Sequence, residues 1–242
     1  MRIITSSNRR ALQQLVDRCH ATEAKRERSV EKIVNDVRRR GDAAVREYAR
    51  RFDKLRGAIE IPAADIKEGA KSTPPSVRAA IKQAARHIRR VSKKQLPKPW
   101  RTTVTPGVII AQRVVPLERV GCYVPGGRYS LPSSLLMTVI PARVAGVLEV
   151  FAACPNPQPA VLTAALEAKV SRLFRIGGAH TIAAFAYGTK MVPRVDKIVG
   201  PGNIYVTTAK KKVFGEVGID MIAGPSEILV ISDKNNNPNW IA

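Results

Sequence analysis

The stretch Lys197-Ile-Val-Gly-Pro-Gly-Asn-Ile-Tyr-Val-Thr-Thr-Ala-Lys-Lys-Lys-Val-Phe214 turns a strand into a helix. Lys197–Val199 is a short apolar run, Gly200-Pro-Gly-Asn203 breaks it, and Ile204–Phe214 continues as a helix. The same unit recurs on both sides. Upstream, Val120–Val124 stops at Pro125-Gly126-Gly127, and a helix is expected from about Ser133 to Gly146. Leu148–Ala153 and Leu173–Ile176 read as strands, Ala160–Ala168 and Thr181–Tyr187 as the helices that follow them. Downstream, Ile228–Ser232 reads as a further strand, and Asp233–Asn239 as a surface loop leading into a helix at Pro238. Apolar strands that alternate with helices through short loops specify a parallel sheet covered on both faces. The fold class is α/β.

The first hundred residues follow a helical period instead. Val30, Ile33, Val34 and Val37 fall at i, i+3, i+4 and i+7, with Gly41 just past the end. Val45, Tyr48, Ala49 and Phe52 repeat the pattern after Asp42. A third helix is expected to open at Thr73-Pro74, capped by the threonine hydroxyl, with the stripe Val77, Ile81, Ala84, Ile88 and Val91. Two prolines in Gln95-Leu-Pro-Lys-Pro-Trp100 stop it by removing amide donors. Thr102–Thr105 and Gly107–Val115, rich in β-branched residues, read as strands.

The chain has 242 residues, 45% of them hydrophobic, enough for one sizeable core or two moderate ones. No stretch of 18 apolar residues spans a bilayer, and Met1–Arg10 lacks the apolar block of a signal peptide. Cys19, Cys122 and Cys154 are odd in number and widely spaced, which reads as ordinary thiols in a reducing compartment. A cytoplasmic protein is expected. The net charge of +22 is uneven: residues 1–100 carry 26 Lys/Arg against 11 Asp/Glu, residues 101–242 carry 15 against 8. Such a field attracts polyanions. Tyr48, Phe52 and Trp100 are too few aromatics to stack a single strand, and zinc-finger and RRM signatures are missing. Basic solvated helix faces are the plainer reading, and no specific nucleic-acid partner is expected.

In an open parallel sheet, ligands bind at the carboxyl ends of the strands. Four glycine-bearing loops are placed there: Tyr123-Val-Pro-Gly-Gly127, Ile176-Gly-Gly-Ala-His180, Val199-Gly-Pro-Gly-Asn203 and Ala223-Gly-Pro-Ser-Glu227. Each lets backbone amides approach an anionic group. One such loop is explained by steric need alone; four at equivalent ends point to a ligand site. The common dinucleotide and P-loop glycine fingerprints are missing, and Ser226 does not lie in a nucleophile elbow. His20, His87 and His180 share no metal-ligand spacing. His87 reads as a surface residue; His180 is either a site residue or a helix-start cap.

The run Val114-Val-Pro-Leu-Glu-Arg-Val-Gly-Cys-Tyr-Val-Pro-Gly-Gly127 resembles the histidinol dehydrogenase family. So do Pro132-Ser-Ser-Leu-Leu-Met137 and Ile140-Pro-Ala-Arg-Val-Ala-Gly146. The strongest blocks are Val195-Asp-Lys-Ile-Val-Gly-Pro-Gly-Asn-Ile-Tyr-Val206 and Gly218-Ile-Asp-Met-Ile-Ala-Gly-Pro-Ser-Glu227; Arg51-Phe-Asp-Lys54 and Gln95-Leu-Pro97 fit as well. The resemblance implies oxidation of L-histidinol to L-histidine through an aldehyde, with two NAD and one zinc, in a homodimer of paired incomplete Rossmann-like domains. By that match, Tyr123, His180 and Asn203 are NAD-contacting positions and Ser226 a substrate contact. The family commonly has Gln where this chain has His180.

The resemblance also implies a division of the chain. Residues 1–122 hold the N-terminal helices and the first part of one Rossmann-like domain, 123–227 form the second, and 228–242 return toward the first. The family's Glu–His proton acceptors and its zinc ligands are implied beyond Ala242. No catalytic or metal-binding residue is therefore expected in this chain, which alone should be inactive and reads as a fragment. Sulfopropanediol dehydrogenases are relatives that oxidise another alcohol, and a non-catalytic NAD-binding remnant is the remaining alternative.

Overall fold

The computed structural model describes residues 5, 7–16, 21–126, 131–224, 228–233 and 235–241. Helices α1 (Arg9–Val16), α2 (Ala21–Arg40) and α3 (Asp42–Phe52) lead into strand β1 (Glu60–Ile61), α4 (Ala63–Lys71) and α5 (Pro75–Gln95). A hairpin follows, β2 (Trp100–Thr105) with β3 (Val108–Gln112). Then strand and helix alternate: β4 (Arg119–Tyr123), α6 (Pro132–Val144), β5 (Glu149–Ala153), α7 (Pro159–Ala168), β6 (Arg172–Phe174), α8 (Gly178–Tyr187), β7 (Lys197–Val199), α9 (Ile204–Val213) and β8 (Gly218–Ile219). A short helix α10 (Pro238–Ile241) comes last.

The main sheet has the order β1-β6-β5-β4-β7-β8, parallel except for the antiparallel edge strand β1. The parallel run begins at β4, steps outward to β5 and β6, then returns to the other side of β4 for β7 and β8. This reversal defines a doubly wound fold, with its crevice between β4 and β7. Side chains alternate across each strand, so Phe151 and Ala153 face α2, α3, α8 and α9, while Val150 and Ala152 face α4, α5, α6 and α7. Phe151, Phe174 and Phe185 pack edge to face in the first core at centroid separations of 6.2 and 6.1 Å. The two cores give the sheet the double cover that its apolar strands require. Among the described residues, no helix is long and apolar enough to cross a membrane.

Four expectations change. Ile228–Ser232 forms no strand: the run is irregular and exposed, with Ile228 and Ile231 each at 89%. Its composition favours a strand, but a strand needs a ladder partner, and none takes this run among the described residues. The stripe of α5 holds in its middle and fails at its ends: Ile81 is buried and Ala84 and Ile88 pack against the same core, joined by the buried Ala85 and Ser92, whereas Val77 and Val91 are exposed. Thr73 does not cap α5, because its hydroxyl bonds Thr163 in α7 at 2.8 Å, in the interior. The strand expected over 107–115 shortens to β3, and among the described residues its hairpin pairs only with itself, exposed along both strands. β1, β8, α1 and α4 were not foreseen. The expected helices over 30–41 and 42–52 stand as α2 and α3, with Gly41 between them at φ +54°.

Candidate functional site at the strand ends

Tyr123 closes β4 and links the loops around it. It is 4% exposed, and its phenol oxygen accepts the Gly178 amide at 3.1 Å. Burial pushes the phenol up to about 12 against the opposing Gly178 bond, so it keeps its proton at neutral pH. Its backbone meets the next loop equally closely. Gly200 has φ +123°, and a Cβ there would lie 2.1 Å from the Tyr123 carbonyl oxygen. Glycine is required at that position on both counts. The loops after β4 and β7 thus touch at the reversal point, backbone to backbone.

Asn203, at the start of α9, is the N-cap. Its Oδ1 accepts the amides of Tyr205 at 3.0 Å and Val206 at 3.2 Å. The residue is exposed, so its amide nitrogen faces outward beside the helix N-terminus. Behind it stands an ion pair with a buried ammonium and a solvent-accessible carboxylate. Lys210, 4% exposed, donates to the Gly200 carbonyl at 2.9 Å and pairs with Asp220. Asp220 accepts the Gly200 amide at 2.8 Å and the Met221 amide at 2.8 Å. Burial pushes the Asp220 carboxyl upward, but the Lys210 bond and the two amides outweigh it, and the group titrates below the ordinary range.

His180 lies in the first turn of α8 and is 1% exposed. Its Nε2 stands 3.0 Å from Asp53 Oδ2, which also accepts the Gly177 amide at 3.1 Å. The Tyr48 and Phe52 rings lie 6.1 and 6.3 Å away. If Nε2–H donates to the carboxylate, Nδ1 is a bare acceptor, and it has no partner. The structure therefore brings Tyr123 and His180 into one network through the Gly177-Gly178 amides and Asp53. Asn203 sits apart, at the far side of Gly200. Ser226 lies outside the described residues, and His87 is exposed on α5.

A cleft of about 680 Å³ opens beside this point, lined by Val120, Val199, Gly200, Met137 and Thr138 with Lys210 and Asp220 at its polar end. Three residues of the arrangement escaped the sequence reading: Asp53, Lys210 and Asp220. Asp53 and Asp220 fell inside blocks that carried the family resemblance, without a role. Lys210 opens a lysine triplet that reads as a solvated face. Its one signal is position, since seven residues from Asn203 return to the same side of the helix within about 20°.

The described residues include no group of three or more His, Cys, Asp or Glu that could hold a metal ion. Burial also pushes the Cys122 and Cys154 thiols up to about 12, away from the thiolate that binds metal. Zinc does not fit these residues.

Comparison with known proteins agrees with the geometry. The family model described as histidinol dehydrogenase matches residues 16–242. The histidinol dehydrogenase of Burkholderia lata is 50% identical over 228 residues, covering 89% of this chain and 52% of the relative. That of Geobacter sulfurreducens is 52% identical, covering 87% of this chain and 51% of the relative. The crystal structure of histidinol dehydrogenase from Elizabethkingia anophelis superposes with a TM-score of 0.80 at 33% identity, over 88% of this chain and 51% of that one. The chain spans about half the length of the curated relatives it matches. Over that half, the chain belongs to the histidinol dehydrogenase family.

Proposed function

We propose that this chain is the dinucleotide-binding part of an enzyme that oxidises L-histidinol to L-histidine through the aldehyde, in the cytoplasm, as a step of histidine biosynthesis. The observation that carries the proposal is the reversal of strand order between β4 and β7, with the Tyr123 and Asn203 loops on either side of it. NAD would supply the two-electron oxidant for each of the two steps, alcohol to aldehyde and, after addition of water, hydrated aldehyde to carboxylate. Asn203 offers its outward amide to the cofactor, and the N-terminus of α9 offers a positive end to a phosphate. Tyr123 keeps its phenolic proton, so with Gly178 already donating to its oxygen it remains able to donate one hydrogen bond. His180 presents an acceptor at Nδ1, set by Asp53 on the opposite nitrogen. Ser226 is the residue assigned to histidinol.

The proton of the alcohol needs an acceptor tuned near neutral pH, and the residues described here do not offer one at the cleft. The general base and the zinc ligands are assigned to the part of the relatives that this chain does not span; no step is placed on zinc here. The dinucleotide-binding unit is residues 123–227 together with the rest of β4, residues 1–118 brace it, and 228–242 return toward a second unit. The full-length enzyme is a homodimer in this reading.

The test is calorimetric titration of NAD into the 242-residue chain, followed by NADH formation from histidinol with and without the carboxy-terminal half of a relative. Saturable NAD binding, with turnover confined to the two halves together, is expected. No NAD binding at millimolar concentration, or turnover by the chain alone, would overturn the assignment.

A further inference from the structure

The loop that carries Asn203 cannot hold its shape by backbone pairing alone. Gly200-Pro-Gly-Asn203 sits between a three-residue strand and a helix, and Pro201 offers no amide. Both polar groups of Gly200 are satisfied from elsewhere, its carbonyl by Lys210 and its amide by Asp220. Lys210 reaches the loop because helical side chains point toward the helix N-terminus, and it stands two turns after Asn203 on the same side. Asp220 reaches the loop from the end of β8, where its own amide bonds the Ile198 carbonyl of β7. One ion pair, its ammonium buried and its carboxylate reached by solvent, therefore joins α9, β7 and β8 at the single peptide that abuts Tyr123.

We propose that Lys210 and Asp220 are positioning residues for the dinucleotide site: they clamp Gly200, and so fix both the α9 N-terminus and the outward amide of Asn203. The inference rests on the reading that NAD binds at this strand reversal, and it adds two residues that act on the site by holding its loop. An ammonium at 4% exposure is a costly way to hold a fold, since a well-packed apolar pair of similar volume is commonly as stable or more so. Stability and loop order can consequently be separated. Removing Lys210 alone leaves the Gly200 carbonyl and the Asp220 carboxylate without their cation, whereas removing both leaves a site that can pack but cannot grip Gly200.

The experiment uses the 242-residue chain and three forms: the native sequence, Lys210→Met, and Lys210→Met with Asp220→Leu. Thermal unfolding, amide hydrogen exchange at Tyr205 and Val206, and calorimetric titration with NAD are read on each. Those two amides are bonded by Asn203 and by neither member of the clamp, so they report the loop rather than the deleted bonds. Lys210→Met should lose thermal stability. The double variant should regain it, yet exchange at Tyr205 and Val206 should remain at least tenfold faster than native, and NAD should bind at least tenfold more weakly.

A double variant with native exchange at both amides would overturn the clamp, because the pair would then serve stability alone. Native exchange lost but NAD affinity unchanged would overturn its connection to the ligand. If the double variant fails to regain stability, Lys210→Met is compared with native below its unfolding transition, and the same exchange and affinity criteria decide. If the native chain binds no NAD, the dinucleotide reading of the strand reversal fails, while the exchange measurement still decides whether Lys210 and Asp220 order the loop.

Discussion

Single residues at this site carry two duties, and the choice of substitution decides which one is measured. Asn203 caps α9 through Oδ1 and turns its amide nitrogen outward. Asn203→Ala removes both and should cost about 1 kcal/mol of stability, along with NAD affinity. Asn203→Asp keeps an equivalent cap but loses the donor. Its melting temperature should stay near native while calorimetry shows NAD binding weakened about tenfold, the loss of one hydrogen bond of about 1.4 kcal/mol; unchanged affinity would leave Asn203 as a cap and nothing more. Asp220 gives a pH signature. Its carboxyl titrates lower in the folded chain than in the unfolded one, so its contribution is present above the unfolded value and is lost as pH falls through the folded one, from about pH 4 downward. Melting curves across that range should show a shallower acid loss for Asp220→Asn than for the native chain. Glycine loops at strand ends marked the region, and the family resemblance named Tyr123, His180 and Asn203 within it. The sequence was silent on Asp53, Lys210 and Asp220, whose roles exist only once distant elements are packed together.

Elements were legible where periodicity was long, and illegible where a neighbour decides. The alternation from β4 to α9 follows from apolar runs, helical stripes and glycine breaks, each of several residues. β1 and β8 have two residues each, too few to show a period, and exist because β6 and β7 offer them edges. Ile228–Ser232 has the opposite fault, the composition of a strand that pairs with none of the described strands. Thr73 shows how packing overrides a local rule. A threonine before Pro74 reads as a cap, yet its hydroxyl pairs with Thr163 across 90 residues of chain and ties the start of α5 to α7. Thr163→Val should strand the Thr73 hydroxyl in the interior and cost about 1–3 kcal/mol, measured by urea unfolding. Adding Thr73→Val should recover most of that loss, since neither buried partner then remains unsatisfied. Additive losses in the double variant would mean that the two hydroxyls do not depend on each other.

At the scale of the whole molecule, charge and exposed apolar surface pull in opposite directions. The hairpin exposes Val104, Val108, Ile109 and Ile110, and the segment 228–233 exposes Ile228, Leu229, Val230 and Ile231. Two such patches, one of them on strands with open edges, favour association with any surface that covers them. The net charge of +22 opposes association between copies through mutual repulsion. Salt separates these forces, because it screens the repulsion over roughly 10 Å at 0.1 M and leaves apolar contact intact. Sedimentation of the 242-residue chain should therefore show more association as salt rises. Binding to a nucleic acid driven by the same charge would weaken instead, as counterion release predicts. Ile109→Lys with Ile231→Lys should hold the chain monomeric at salt concentrations where the native chain associates, with an unchanged melting temperature, since neither side chain is packed in the fold. Association that falls with salt, or that survives both substitutions, would place the contact on the basic helices α2 and α5 rather than on the apolar patches.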